Sequence, residues 1–184
     1  VTLSGGDPFS QPDFLEAILL GCRDREIPVV VDTCGHVAPE TFRRLIPLAE
    51  GVLFDLKVMD PGAHEAFTGV HNRWILENLA WLANGCGRKG NPSKGAEGGP
   101  PERTGPEARH GTCPRLTVRI PLIPGVNDSR ENLGATAAFL LGLQRVPPVD
   151  LLPYHRLGVD KYHRMGRQYS LAEVVPPGPE TVSY

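Results

Sequence analysis

The sequence predicts an α/β domain built on a parallel β-sheet. Runs of strand-forming apolar residues alternate along the chain with apolar patterns of helical spacing. The run at 28–32 is continuous rather than alternating, which is typical of a strand buried on both faces of a parallel sheet. Polar residues close successive runs, and the strand–helix order favours crossover helices over a parallel sheet. The 184 residues are enough for one domain, 1–184, with a single core.

The elements of the first part of the chain follow in order. The chain opens in a strand that ends at Gly5, Gly6 and Asp7, where glycines allow a sharp turn. The apolar spacing predicts a helix over 13–26. The strand at 28–32 leads into a second helix that starts at Pro39, and we expect Pro47 to end or kink it.

The remaining elements repeat the same alternation. Asp128 and Glu131 have the spacing of a helix-capping pair. Phe42, Trp74 and Trp81 sit at helical spacings and are predicted to lie in the core. The predicted strands and helices cover 52–57, 63–67, 73–84, 115–124, 128–143 and 149–154.

Residues 85–114 interrupt this order. The segment is rich in Gly, Pro and charge and has almost no large apolar residue. It offers too little apolar surface to offset the entropy of ordering its backbone. We therefore predict a flexible surface insertion within the domain, with Cys86 and Cys113 incidental to the fold.

The composition argues against several classes of protein. Hydrophobic residues make up 40% of the chain, charged residues 22%, and the net charge is -2, so neither nucleic acid nor a membrane is expected as a partner. No apolar run approaches the roughly 20 residues that span a bilayer. The four cysteines form no C-x-x-C pair and give no zinc or cluster signature. We expect a reduced, cytoplasmic protein.

Candidate functional residues collect at the predicted carboxyl ends of the strands, where ligands of parallel β/α folds bind. Each of these polar residues can also be a helix cap or a turn residue. His155 is either a base, a hydrogen-bond donor or a surface histidine, and Cys34 is more readily structural than nucleophilic. Arg119 lies within its own strand. The strand-end set is Asp7, Asp32, Thr33, Asp55, Lys57, Asn127, Asp128 and His155.

Asp32 and Asp55 make the strongest case for a site. Two carboxylates about 4 Å apart repel by roughly 4 kcal/mol at an effective dielectric near 20. Such a pair requires a shared proton, a bound cation or a nearby lysine. Lys57 lies two residues after Asp55 and hence on the same face of the strand. This arrangement predicts a site for a zwitterionic ligand.

Six motifs in order resemble a known family. They are SGGDP, VDTCG, LFDLKVMD, TGVHN, RIPLIPGVND and LLPYH. The chain resembles the radical S-adenosylmethionine activating enzymes of glycyl radical enzymes, of the pyruvate formate-lyase activase type. The resemblance implies a partial (β/α)6 barrel, TIM-like and without its first strand. It also implies a function: reductive cleavage of S-adenosylmethionine to a 5′-deoxyadenosyl radical that takes a hydrogen from a glycine of the partner enzyme.

The resemblance also implies roles for residues. Lys57 would face the carboxylate of the methionine moiety, and Lys57 and Arg119 are the candidate catalytic residues. His155 would contact the nucleoside end. The remaining cofactor-binding residues would be Gly5, Gly6, Asp7, Asp55 and Leu56, and a monovalent cation would bind Asp32, Thr33 and Asp55. Asp7 is shorter than the glutamate of the family, so backbone contact is the firmer expectation there.

The family's C-x-x-x-C-x-x-C loop, which binds a [4Fe-4S] cluster, has no counterpart in this sequence. We therefore expect the chain to be a fragment of an activase that holds no cluster and is inactive alone. The implied partners are a glycyl radical enzyme and an electron donor such as flavodoxin or ferredoxin.

Two other functions stay open. The spacing Asp55-x-Lys57-x-x-Asp60 resembles the motif of cofactor-independent barrel decarboxylases of the orotidine-monophosphate type. Because the cluster cysteines are missing, a non-catalytic barrel remnant that binds a ligand or a partner also stays open.

Overall fold

The fold is a parallel α/β sheet, as predicted. The computed structural model describes residues 1–86, 113–156, 164–166, 171 and 173–176. Within these ranges all strand pairings are parallel, in the order β1-β2-β3-β4-β5. The strands are β1 (Thr2–Leu3), β2 (Val30–Thr33), β3 (Gly51–Asp55), β4 (Arg115–Leu122) and β5 (Val149–Pro153). The helices are α1 (Pro12–Arg23), α2 (Pro39–Leu45), α3 (Pro61–Thr68), α4 (Arg73–Ala83) and α5 (Arg130–Leu141).

The register of the sheet separates an apolar face from a polar one. Thr33, Phe54 and Val118 are paired across three strands, and all three are buried. Because side chains alternate along a strand, the next residue of each strand faces the other way. Asp55 and Arg119, which pair with each other, therefore lie on the opposite face. The core between the apolar face and the helices includes Leu19, Val31, Phe42, Leu45, Phe54, Leu79 and Val118.

Helix ends follow local chemistry, with one error of prediction. Helix α2 stops at Leu45, and a 3₁₀ turn carries Pro47, as expected from its missing N–H. The predicted capping pair of Asp128 and Glu131 is wrong. Ser129 caps α5 by accepting a hydrogen bond from the Asn132 N–H, and the Asp128 carboxylate accepts one from the Gly125 N–H instead.

Trp74 does not lie in the core. It is 41% exposed and stacks against His36 with ring centroids 5.5 Å apart. Phe42 is fully buried, and the half-buried Trp81 packs edge-on against it. Helical spacing marks an apolar stripe but does not say how far that stripe extends around the helix, which is why Trp74 was misplaced.

A disulfide joins Cys86 and Cys113, with their Cα atoms 5.7 Å apart. The predictions that these cysteines are incidental and that the chain is fully reduced are therefore both wrong: the bond connects the chain just after α4 to the residues before β4. The insertion predicted at 85–114 otherwise falls on residues 87–112, outside the described ranges. None of the helices in the described part of the chain combines the length and hydrophobicity that crossing a membrane requires.

Candidate functional site

A guanidinium joins the two strand-end carboxylates. Arg119 reaches from β4 and donates from Nη2 to Asp32 Oδ1 and to Asp55 Oδ1 at 2.7 Å, while its Nε donates to Asp55 Oδ1 at 2.9 Å. The side chains of Arg119, Asp32 and Asp55 are 18–24% exposed. Burial opposes the charge, but the hydrogen bonds and negative charge of Asp55, then of Asp32, raise the pKa of Arg119. Arg119 is thus a permanent counter-ion to both acids.

Lys57 extends this set at its exposed end. Its Nζ lies 3.7 Å from Asp55 Oδ2, and its side chain is 36% exposed. Asp32, Asp55, Arg119 and Lys57 together form what we call the Arg119 network, two acids balanced by two cations. Leu56, between Asp55 and Lys57, turns the other way and is 2% exposed. Its side chain lies in the core, and its N–H donates to the Arg119 carbonyl.

Asp7 serves a different purpose from the other acids. Its carboxylate accepts from the Phe9 N–H at 3.0 Å, from the Thr33 hydroxyl at 2.9 Å, and from the Cys34 N–H at 2.9 Å and thiol at 3.1 Å. Thr33 in turn accepts from the Gly35 N–H. We call Asp7, Thr33 and Cys34 the Asp7 knot. It ties the turn after β1 to the end of β2 and leaves the carboxylate fully engaged.

Cys34 holds its proton within this knot. Burial, followed by the negative charge of Asp7, raises the pKa of the Cys34 thiol. A thiol that donates to a carboxylate and resists ionisation is a poor nucleophile. The structural role expected for Cys34 agrees with this geometry.

The glycine turn after β1 is open. Gly5 has φ +124°, a conformation that side-chain-bearing residues rarely adopt. No atom lies within 4 Å of where a Cβ would stand on Gly5 or Gly6. Beside the turn, the Ser4 hydroxyl donates to Asp32 Oδ2 at 2.9 Å. The backbone of this turn is open to a ligand, whereas the Asp7 carboxylate already accepts hydrogen bonds from Phe9, Thr33 and Cys34.

A cleft of about 430 Å³ lies against these residues. It is lined by side chains from the Asp7 knot, from the Arg119 network and from the segment after β3. Arg119, Asp32 and His155 are not among the lining residues, and His155 lies at the far edge of the sheet, just after β5. Lining residues include Asp7, Cys34, Asp55, Lys57 and His64.

Buried asparagines hold the loops that carry the site. Asn127 is 1% exposed; its amide donates to the Lys57 and Pro121 carbonyls and accepts from the Ile123 N–H. Asn127 is thus structural, and its neighbour Asp128 caps a turn. Three further asparagines bond to loop backbone in the same way: Asn72, Asn78 and Asn132. No pattern in the sequence marks these three asparagines, because each bonds to a backbone group distant along the chain.

The residues of this chain fit some of the implied ligands and not others. A cluster needs several cysteine thiolates together, whereas Cys86 and Cys113 are paired and Cys22 lies on α1. In the described ranges, no group of three His, Cys, Asp or Glu side chains could hold a metal ion.

The predicted monovalent cation meets an occupied position, since Arg119 lies between Asp32 and Asp55. Thr33 turns to the other face, toward Asp7. As arranged here the three residues do not share an ion, and the cation stays a prediction. S-adenosylmethionine fits better, because the cleft is within the roughly 300–1,000 Å³ of small-molecule sites and Lys57 and Asp55 offer both charges to a zwitterion.

Asp60 does not join Asp55 and Lys57. Its carboxylate caps α3 by accepting from the Ala63 N–H at 2.7 Å. The arrangement required by the decarboxylase alternative is therefore absent from these residues.

Fold and candidate site together define a parallel α/β domain with a cluster of charged side chains beside a cleft at the carboxyl ends of its strands. A domain of a pyruvate-formate lyase-activating enzyme from Bacteroides vulgatus superposes with a TM-score of 0.66 at 31% identity, covering 98% of this chain and 86% of that one. The chain belongs to the family of glycyl radical enzyme activating enzymes, and this confirms the resemblance. No family model matches the sequence.

Curated relatives carry related names. The chain is 35% identical over 177 residues to the indoleacetate decarboxylase activating enzyme of Tractidigestivibacter scatoligenes, covering 96% of this chain and 48% of the relative. It is 37% identical over 176 residues to the isethionate sulfite-lyase activating enzyme of Desulfovibrio desulfuricans, covering 95% and 47%. The chain thus spans about half the length of the curated relatives it matches.

Proposed function

We propose that the protein takes part in activating a glycyl radical enzyme and binds S-adenosylmethionine at the carboxyl edge of its sheet. Family membership supports the activity. The observation that carries the binding site is the Lys57–Asp55 pair, with opposite charges 3.7 Å apart on one face of the chain and beside a cleft of about 430 Å³. When bound and cleaved with one electron from a reductant, S-adenosylmethionine would supply a carbon radical that takes a hydrogen atom from a glycine of the partner enzyme.

Lys57 and Asp55 bind the amino-acid end of the ligand in this proposal. The Lys57 ammonium pairs with the ligand carboxylate, and Asp55 Oδ2, which faces Lys57, accepts from the ligand ammonium. Each protein charge exchanges one partner for another of the same sign. Neither is left uncompensated in a partly buried site, where a lone charge is costly.

Arg119 acts as a positioning residue. It holds Asp55 through Oδ1 and leaves Oδ2 directed at Lys57. It also neutralises Asp32, so that the extra acid does not repel the ligand carboxylate. Arg119 therefore sets both the orientation and the charge that Asp55 presents.

The rest of the proposal concerns residues farther along the edge. Gly5 and Gly6 offer backbone to the ligand ammonium, since their turn is open. His155 receives the nucleoside end beyond β5. The proposal also includes a glycyl radical enzyme as the protein substrate, an electron donor such as flavodoxin or ferredoxin, and a cytoplasmic setting.

The test is binding of S-adenosylhomocysteine, which has the same amino-acid end, measured by calorimetry. Lys57→Met is expected to weaken binding at least tenfold, because a charge-assisted pair contributes about 1.5–3 kcal/mol. The matched control is Arg145→Met, which removes one positive charge from the loop before β5. That loop lies at the amino end of the strand, whereas the proposed site lies at the carboxyl ends. Arg145→Met should leave the affinity unchanged.

Either of two results would contradict the site. Equal weakening by both variants would mean that only net charge matters. Unaltered affinity in Lys57→Met would place the carboxylate elsewhere.

A further inference from the structure

His64 is a buried histidine whose two ring nitrogens have different surroundings. Its Nδ1 lies 2.8 Å from the Val70 carbonyl oxygen, which can only accept. It also lies 3.0 Å from the Thr68 hydroxyl, and that hydroxyl donates to the His64 carbonyl at 2.7 Å. Both neighbours therefore accept from Nδ1, which must carry the proton of the neutral ring. Nε2 is left as a bare acceptor.

Nε2 is not sealed inside the protein. His64 is 3% exposed, and it lines the cleft. Among the described residues no hydrogen bond reaches Nε2. Nε2 is also not a fully buried polar atom without a partner; in the described ranges that description applies to Asn78 Oδ1. The protein thus fixes the tautomer of the His64 ring and leaves Nε2 as an acceptor, and the cleft is where a partner for it can bind.

His64 belongs to a part of the cleft that the proposed cofactor does not use. The amino-acid end of S-adenosylmethionine is assigned to Lys57 and its nucleoside end to the β5 side. The wall formed by His64, Thr68, Val70 and Ile75 comes from α3, α4 and their connection. In this α3–α4 wall Val70 and Ile75 are apolar, and Thr68 and the His64 ring are the polar members.

Aromatic side chains are exposed on the same two helices. Trp74, at the start of α4, is 41% exposed and stacks on His36, which itself lines the cleft. Phe67, near the end of α3, is 55% exposed. Through His36, Trp74 places an exposed aromatic ring next to the cleft, and aromatic residues are enriched in surfaces that bind polypeptide.

We infer that His64 is a specificity-determining residue that accepts a hydrogen bond from a main-chain N–H of the glycine-bearing segment of the protein substrate. The segment lies extended along the α3–α4 wall, and the apolar side chains leave the backbone amide as the donor for Nε2. The inference rests on the proposed function for one premise, that the second reactant is a polypeptide.

The test uses the capped peptide acetyl-Ala-Gly-Ala-amide and its three versions N-methylated at one residue each. Dissociation constants come from nuclear magnetic resonance titrations of the ¹⁵N-labelled chain. One N-methyl version is expected to bind about fivefold or more weakly than the parent, the loss of one buried hydrogen bond. The ¹⁵N resonance of His64 Nε2 should be of the unprotonated type and shift on binding.

Two variants separate recognition from stability. His64→Phe should bind the parent and that N-methyl version equally. The control His71→Phe changes a 66% exposed histidine on the same helix–helix connection and should keep the discrimination. Should His64→Phe fail to fold, the wild-type peptide series and the His64 resonance still decide. Equal affinity for all four peptides, no peptide binding, or discrimination that persists in His64→Phe would overturn the inference.

S-adenosylhomocysteine binding distinguishes the two proposals. His64→Phe should leave its affinity unchanged, because Lys57 and Asp55 remain. Loss of peptide discrimination with intact S-adenosylhomocysteine binding supports the inference. Peptide discrimination in wild type without any S-adenosylhomocysteine binding would support His64 and contradict the cofactor site.

Discussion

The Asp7 knot and the Arg119 network both contain aspartates, but the aspartate has a structural role in the knot and a proposed ligand-binding role in the network. Both place aspartates at the carboxyl edge, and β2 contributes to each: Thr33 points toward Asp7 and its neighbour Asp32 toward Arg119. In the knot every donor near the carboxylate is satisfied within the protein. In the network, Asp55 Oδ2 and Lys57 are paired loosely at 3.7 Å and partly exposed. A strand-end acid therefore indicates a ligand site only when its charge is not already fully engaged.

Gly35→Ala is expected to have the largest effect, by disrupting the end of the knot. Gly35 has φ +69°, and a Cβ there would stand 2.3 Å from the Phe54 ring, which is fully buried. Backbone strain plus overpacking should lower the free energy of unfolding by about 3 kcal/mol or more, measured by urea denaturation.

Gly69→Ala is the control for that experiment. Gly69 has a similar φ of +79° but open space around it, so it should cost about 1 kcal/mol from strain alone. Equal losses in the two variants would show that contact with Phe54 is unimportant.

Asp7→Ala should destabilise the protein next most strongly. It leaves the buried Thr33 hydroxyl and the Cys34 N–H without their acceptor, a cost of about 2–3 kcal/mol in urea denaturation. Lys57→Met, in the network, should change stability little while it weakens S-adenosylhomocysteine binding at least tenfold. The contrast fails if Lys57→Met is as unstable as Asp7→Ala.

Arg119→Met should destabilise by about 2 kcal/mol, because Asp32 and Asp55 lose a shared counter-ion. Potassium ions should restore part of that loss in the variant and have little effect on the wild type, since Arg119 occupies the cation position. Arg115→Met, on the same strand but 86% exposed at its side chain, is the control and should show neither effect. A strong potassium dependence of the wild type would favour the predicted monovalent-cation site instead.

The pH dependence of the knot is the smallest effect. The Cys34 pKa is raised above the ordinary 9.0 of a thiol by burial and then by Asp7, so the folded protein resists ionisation that the unfolded chain allows. The stability from Cys34 is complete below about pH 9 and is lost as the pH rises through the folded-state value. Urea midpoints of wild type minus Cys34→Ala, measured from pH 7 to 10.5, should fall above pH 9. A difference that stays flat would contradict this account.

The alternation of strands and helices could be read from the sequence because periodicity and turn chemistry are local. Pro47 ended α2 as expected for the same reason. The partner of Asp32 and Asp55 could not be read, since it depends on the register of β3 against β4, which sets Arg119 beside Asp55. Asn127 looked like a ligand residue because its carbonyl partners are known only once the chain is folded.

The disulfide gives the domain a property of covalent connectivity. With Cys86 bonded to Cys113, the chain between them is one path of a closed ring, and the bond is the other. Cutting any peptide bond from 87 to 112 would leave a single covalent molecule in oxidising conditions and two pieces after reduction. The strands before the ring and the strands after it would stay tethered even with the backbone broken.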